Sequence, residues 1–148
     1  MMPVMKTEAE PTSVSESSGE RPSVVVQLPL GLIGFESIKR YQLSSQPDEA
    51  PFAWLHVEGE SDLAFIVVSP FEVTSEYEPQ IGEEDLRFLG LPSVDDAVIY
   101  NIVTLDRKGG GTINLKGPIV LNPRTLVGKQ CIPLNVSQLS VKHPIPAV

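Results

Sequence analysis

The sequence has one cysteine, two histidines, one tryptophan and no long apolar run. Each scarcity excludes something. A lone thiol, Cys131, forms no internal disulfide framework, so a reducing, cytoplasmic setting is the simple expectation. His56 and His143 are too far apart to build a clustered metal centre with that cysteine. No stretch approaches the roughly 18 apolar residues of a membrane span, and the N-terminus carries no apolar signal segment. Basic residues are few: 11 Lys and Arg against 19 Asp and Glu, a formal charge of −8. Direct nucleic-acid binding is therefore not expected, because it depends on neutralising phosphates. No G-x-S-x-G, Walker loop or dinucleotide fingerprint occurs. Long helical periods are missing too, with 14 prolines and 11 glycines cutting the chain into short pieces.

What remains is a set of short strands, and the organising stretch is Ala97 to Pro123. Residues 98–105 are mostly β-branched or aromatic. Tyr100 and Ile102 share one face and Ile99, Val103 and Leu105 the other, so both faces are expected to meet protein. Gly109, Gly110 and Gly111 are expected to supply positive φ for a hairpin that returns over Thr112 to Leu115. Lys116-Gly117-Pro118 then breaks the ladder before a short strand over Ile119–Leu121.

Further strands are predicted over 23–27, 38–43, 51–57 and 63–69, the last two as a hairpin. Thr125 to Ile132 reads as a strand or strand pair bent at Gly128, and Leu28 to Glu36 as a turn-rich connection with its apolar side chains tucked inward. Phe65 and Ile102 are expected in the core. One short helix is predicted over 82–89, with acids in its first turn and Gly90 as its stop. Residues 1–23, rich in Ser, Pro and Glu, are expected to be a disordered acidic tail. The fold class that follows is mainly β: a small antiparallel barrel-like domain over 24–148 with one helix.

The acids are unevenly placed. Residues 48–96 hold thirteen of them against one base, Arg87, a net of −12. Residues 97–148 hold six bases against Asp106, a net of +5. An acidic face of this kind suits a basic protein partner, although acids also keep a small domain soluble. Catalytic alternatives are thin. Asp95-Asp96 is a candidate carboxylate pair for a hydrolase, and Cys131 with His143 a candidate nucleophile and base, but Cys131 lies in an apolar strand where a thiol is inert. His56, in another apolar strand, reads as structural. The residues describe a binding module without a cofactor.

Ordered motifs add to this. Gly31-Leu32-Ile33-Gly34-Phe35-Glu36 resembles the G-x-x-G-F-E opening of the flagellar assembly factor FliW family. Pro51 to Leu55, Leu63 to Pro70, Tyr77 in an acidic loop, and Thr112-Ile113-Asn114-Leu115-Lys116-Gly117-Pro118-Ile119-Val120-Leu121-Asn122 follow in the family's order, covering about residues 24–143. His56 departs from the family's usual strand, and the tail is extra. The resemblance implies a cytoplasmic, non-enzymatic protein, monomeric alone, with no cofactor. It implies binding to the translational repressor CsrA, antagonising its RNA binding, and binding to flagellin, so that partner exchange couples flagellin synthesis to export. A flagellin-only secretion chaperone is the alternative. The partner-binding residues expected are Glu72, Glu76, Tyr77 and Glu78 in the acidic loop, with Asn114, Leu115 and Asn122 around the proline-broken strand. For the two asparagines, capping of local backbone is an equal alternative.

Overall fold

The computed structural model describes residues 23–59, 63–108 and 110–145. All of the expected tail except Ser23 lies outside them. The strands are β1 (Ser23–Gln27), β2 (Arg40–Ser44), β3 (Phe52–Val57), β4 (Ala64–Val68), β5 (Val98–Leu105), β6 (Gly111–Ile113), β7 (Ile119–Asn122), β8 (Val127–Gln130) and β9 (His143–Ile145), with helix α1 over Glu83–Leu89. Antiparallel pairs run β1-β2-β3-β4-β5-β7-β8, and a short parallel contact, Gln27 opposite Val127, joins β8 back to β1. Seven strands therefore close a barrel. β6 and β9 extend the sheet beyond the upper half of β5.

Closure depends on the β7–β8 turn. Leu126 adopts a left-handed conformation at φ 60°, uncommon for a residue with a side chain. Its carbonyl accepts a hydrogen bond from Gln27 N at 2.9 Å, while its side chain packs against the core. Gly128 is not a bend, as the sequence suggested, but a straight strand residue, buried where barrel side chains crowd the backbone.

Alternation sorts the side chains. Val26, Leu28, Tyr41, Ala53, Leu55, Val67, Ile119 and Leu121 are buried inside the barrel. Burying each aliphatic side chain contributes about 1.5–3 kcal/mol. A void of ≈ 10 Å³ lies among Val26, Leu28, Leu55, Val67, Ile119 and Leu121. β5 is covered on both faces through its middle, but Leu105 at its end is exposed, contrary to expectation. Tyr100 and Ile102 pack on the interior cluster, whereas Ile99 and Val103 enter two outer clusters. One outer cluster lies under α1, with Leu89, Leu91, Val120 and Cys131. The other joins Val68, Tyr77, Ile113 and Leu115.

Several expectations are corrected. Phe65 and Ile102 pack against the core cluster as expected but are half-buried, not fully buried. Phe65 packs edge-to-face on Phe35 with ring centres 5.2 Å apart, and against Tyr41 at 6.4 Å. Phe65→Ala is accordingly expected to cost about 1.5–3 kcal/mol, below the ~3–5 kcal/mol of a fully buried phenylalanine. Denaturant unfolding measures this, and a loss under about 1 kcal/mol would take the ring out of the barrel packing.

The loop from Leu28 to Glu36 tucks only Leu28 and Leu32 inward; Leu30, Ile33 and Phe35 remain exposed. Its reversal needs Gly31, whose φ is +70° and whose absent Cβ would sit 2.5 Å from Glu36 Cα. At the β5–β6 tip, Gly110 and Gly111 do not have positive φ, and Gly109 lies outside the described residues. Asp106 shapes that turn instead: its Oδ1 accepts from Lys108 N at 2.8 Å and Gly110 N at 2.9 Å.

Candidate partner-binding face

Two outer segments cover β5 and its neighbours, and both carry acids. The first runs from the short 3-10 turn Pro70–Glu72 to Ile81. Glu72, Glu76 and Glu78 on it are exposed. Tyr77 between them, expected as a partner-binding residue, is buried at 4% exposure. Its hydroxyl donates to Leu115 O at 2.7 Å, its ring stacks on Phe71 at 5.9 Å, and Asn101 Nδ2 donates to its oxygen at 3.2 Å. Burial pushes the Tyr77 phenol up to about 12. Tyr77 is thus the pin that fastens the acidic loop to the sheet.

The structure brings Tyr77, Asn114 and Leu115 together. Asn101, fully buried on β5, donates to Asn114 O at 2.9 Å as well as to Tyr77. Asn114 Oδ1 accepts from Lys116 N at 3.0 Å, capping its own turn. Leu115 is buried. Asn122 is elsewhere, at the end of β7. Its Nδ2 donates to Leu89 O at 2.8 Å and its Oδ1 accepts from Arg124 N at 2.9 Å. It satisfies a carbonyl at the open end of α1 and ties that helix to the barrel. Both asparagine side chains bond to backbone groups in this fold. The solvent-facing members of the expected set are Glu72, Glu76 and Glu78.

The second segment is α1. Gly82 precedes it, Glu83, Glu84 and Asp85 occupy its first turn, and Gly90 closes it with φ 71°. Acids there complement the partial positive charge of a helix start. Glu83 and Glu84 are exposed, whereas Asp85 pairs with Lys129, whose ammonium also lies 5.5 Å from the Phe88 ring centre. Cys131 beneath the helix is fully buried, and burial first, then Asp85, raises its thiol to about 12. That protonated thiol is a packing residue.

Asp95 and Asp96 are exposed in a 3-10 turn capped by Ser93, whose Oγ accepts from Asp95 N at 3.1 Å. Among the described residues no three His, Cys, Asp or Glu side chains are grouped as metal donors. Among the same residues no helix is long and apolar enough to cross a membrane.

One feature of this face was not anticipated from the sequence. After β8, burial alternates: Cys131 and Pro133 point inward, and Ile132 and Leu134 point outward with 53% and 73% exposure. Leu134 sits beside the start of α1, because its amide donates to Gln80 O at 2.7 Å. Cys-Ile-Pro-Leu is uniformly apolar, so nothing in composition distinguishes the two outward residues from the two inward ones.

Comparison with known proteins agrees with this geometry. The profile of the family described as FliW protein matches residues 9–145. A flagellar assembly factor FliW from Leptospira biflexa is 44% identical over 110 residues, covering 73% of this chain and 72% of that protein. One from Natranaerobius thermophilus is 34% identical over 123 residues, covering 82% and 81%. A crystal structure of the flagellar assembly factor FliW superimposes with a TM-score of 0.71 at 28% identity, covering 88% of each chain. Sequence and barrel together place the chain in the FliW family of flagellar assembly factors.

Proposed function

We propose that this flagellar assembly factor works by partner exchange in the cytoplasm. It binds the translational repressor CsrA and antagonises its RNA binding, and it binds flagellin, so that flagellin synthesis follows export. Concentrations and relative affinities of the two partners set which complex forms, and no catalytic step is needed. The observation that carries this reading is the loop with Glu72, Glu76 and Glu78 exposed around a buried Tyr77. A protein that binds RNA presents a basic surface, and three exposed carboxylates on a pinned loop complement it. The same charge repels RNA from the complex.

Glu72, Glu76 and Glu78 replaced together by glutamine will keep shape and remove charge. Association with the repressor is expected to slow at low salt, with the difference shrinking as salt rises. Displacement of RNA should weaken more than binding does, since repulsion persists after docking. Folding stability should change by less than about 1 kcal/mol, as exposed charges contribute little. Surface plasmon resonance at two salt concentrations, with RNA competition, measures both effects. An unchanged association rate at low salt would return these acids to a solubility role, and binding of flagellin alone would favour a dedicated flagellin chaperone.

A further inference from the structure

We infer that Ile132 and Leu134 form the apolar centre of a docking face for a basic protein surface, one presenting aliphatic side chains beside lysine or arginine. This rests on the reading that the chain binds a basic RNA-binding partner, and it moves the affinity of that contact away from the acidic loop.

Three observations lead there. The first is orientation: Cys131 and Pro133 are buried, while Ile132 and Leu134, two residues apart, both face solvent. Leu134, at 73%, is the most exposed large apolar residue among those described. The second is rigidity. Leu134 N donates to Gln80 O at 2.7 Å, Asn135 Oδ1 accepts from Gln80 N at 2.9 Å, and Asn135 Nδ2 donates to Glu78 O at 3.1 Å. The pair is therefore presented on a clamped segment, and ordering it on binding costs little.

The third is charge. The clamp places Leu134 next to Gly82, where an added Cβ would touch Leu134 Cδ2 at 3.6 Å. Gly82 precedes the exposed Glu83 and Glu84, and Glu78 lies at the other end of the clamp. An apolar centre beside carboxylates follows the core-and-rim anatomy of protein interfaces. Glu78, Glu83 and Glu84 are all exposed beside the pair, so the complementary rim is cationic. The two kinds of residue have separable roles. The carboxylates speed encounter, and the buried aliphatic contact slows release.

The test uses the full chain and the repressor of the proposed function, with surface plasmon resonance at low and high salt. The double variant Ile132→Ser, Leu134→Ser should raise Kd at least about tenfold through faster dissociation at both salt concentrations. The triple variant Glu78→Gln, Glu83→Gln, Glu84→Gln should instead slow association at low salt only. Both side chains replaced by serine are mostly exposed, so the melting temperature should hold. Should it fall, Leu134→Arg keeps an aliphatic stem beside Gly82 while setting a cation against the basic partner, and the same loss is expected. Wild-type protein that binds the repressor while both Leu134 variants bind within about twofold of it would overturn this inference and leave the proposed function standing. Wild-type protein that does not bind the repressor overturns both.

Discussion

Gly128→Ala is expected to lower stability by about 1–3 kcal/mol, although alanine is the smallest substitution possible. The added Cβ would lie 2.3 Å from Leu121 Cδ2, 2.9 Å from Leu28 Cδ2 and 3.1 Å from Val120 O. The first two atoms are ends of leucine side chains, which move cheaply at a surface. Here both leucines are buried in the barrel, and the void beside them is only ≈ 10 Å³, too small to receive a displaced isobutyl group. The third atom belongs to the neighbouring strand and moves only with β7. A Leu121→Val change shortens the obstructing side chain, so the double variant should lose less than the two single changes added together. Denaturant unfolding of the four proteins in a double-mutant cycle measures this. Additivity within about 0.5 kcal/mol would mean that the Leu121 clash is not the cause.

Tyr77 carries the second large effect. Tyr77→Ala removes a buried ring stacked on Phe71 and should cost about 3–5 kcal/mol. Tyr77→Phe keeps the ring but leaves Leu115 O without its donor and Asn101 Nδ2 without one of its acceptors. A loss of about 1–3 kcal/mol is expected from those groups. Repressor affinity, corrected for the folded fraction, should be unchanged by Tyr77→Phe. An affinity loss with undiminished stability would restore Tyr77 as a contact residue. Ionisation adds a second reading of the same pin. Burial raises the phenol from its ordinary 10.0 to about 12, so the fold favours the protonated form. That contribution is full below pH 10 and is lost as pH climbs toward about 12. Tyr77→Phe should flatten the fall in stability across that window.

Much of the architecture was legible in the residues. Hydrophobic patterning located the strands except β9, whose pairing with β6 it did not anticipate, and the Phe52–Val57 and Ala64–Val68 hairpin pairs as expected. Lys116-Gly117-Pro118 separates two return strands that share one partner, β5. Gly90 ends the helix as its position suggested. These features are local: a period, a missing N–H, a left-handed cap. Each follows from neighbours within a few residues, so the order of residues carries it.

The candidate face was less legible. Glu-Tyr-Glu at 76–78 looks like one solvent-facing unit, yet the tyrosine turns inward to a carbonyl 38 residues away. Asn122 likewise serves a helix end 33 residues distant. A polar group is buried only where a partner satisfies it, and such partners arrive from other strands once the sheet is assembled.

By itself, then, the sequence determined a mainly β domain of short strands, one helix with acids in its first turn, an acidic middle third and the motif order of its family. Tertiary structure alone decided that β8 closes the barrel against β1 in parallel, that Gly128 is a crowding point and not a bend, and that Ile132 and Leu134 face outward while Cys131 and Pro133 face in. The reason is that a strand pattern specifies two faces without saying what covers either. Where both faces are apolar, only the elements packed against them determine which side chains stay in water.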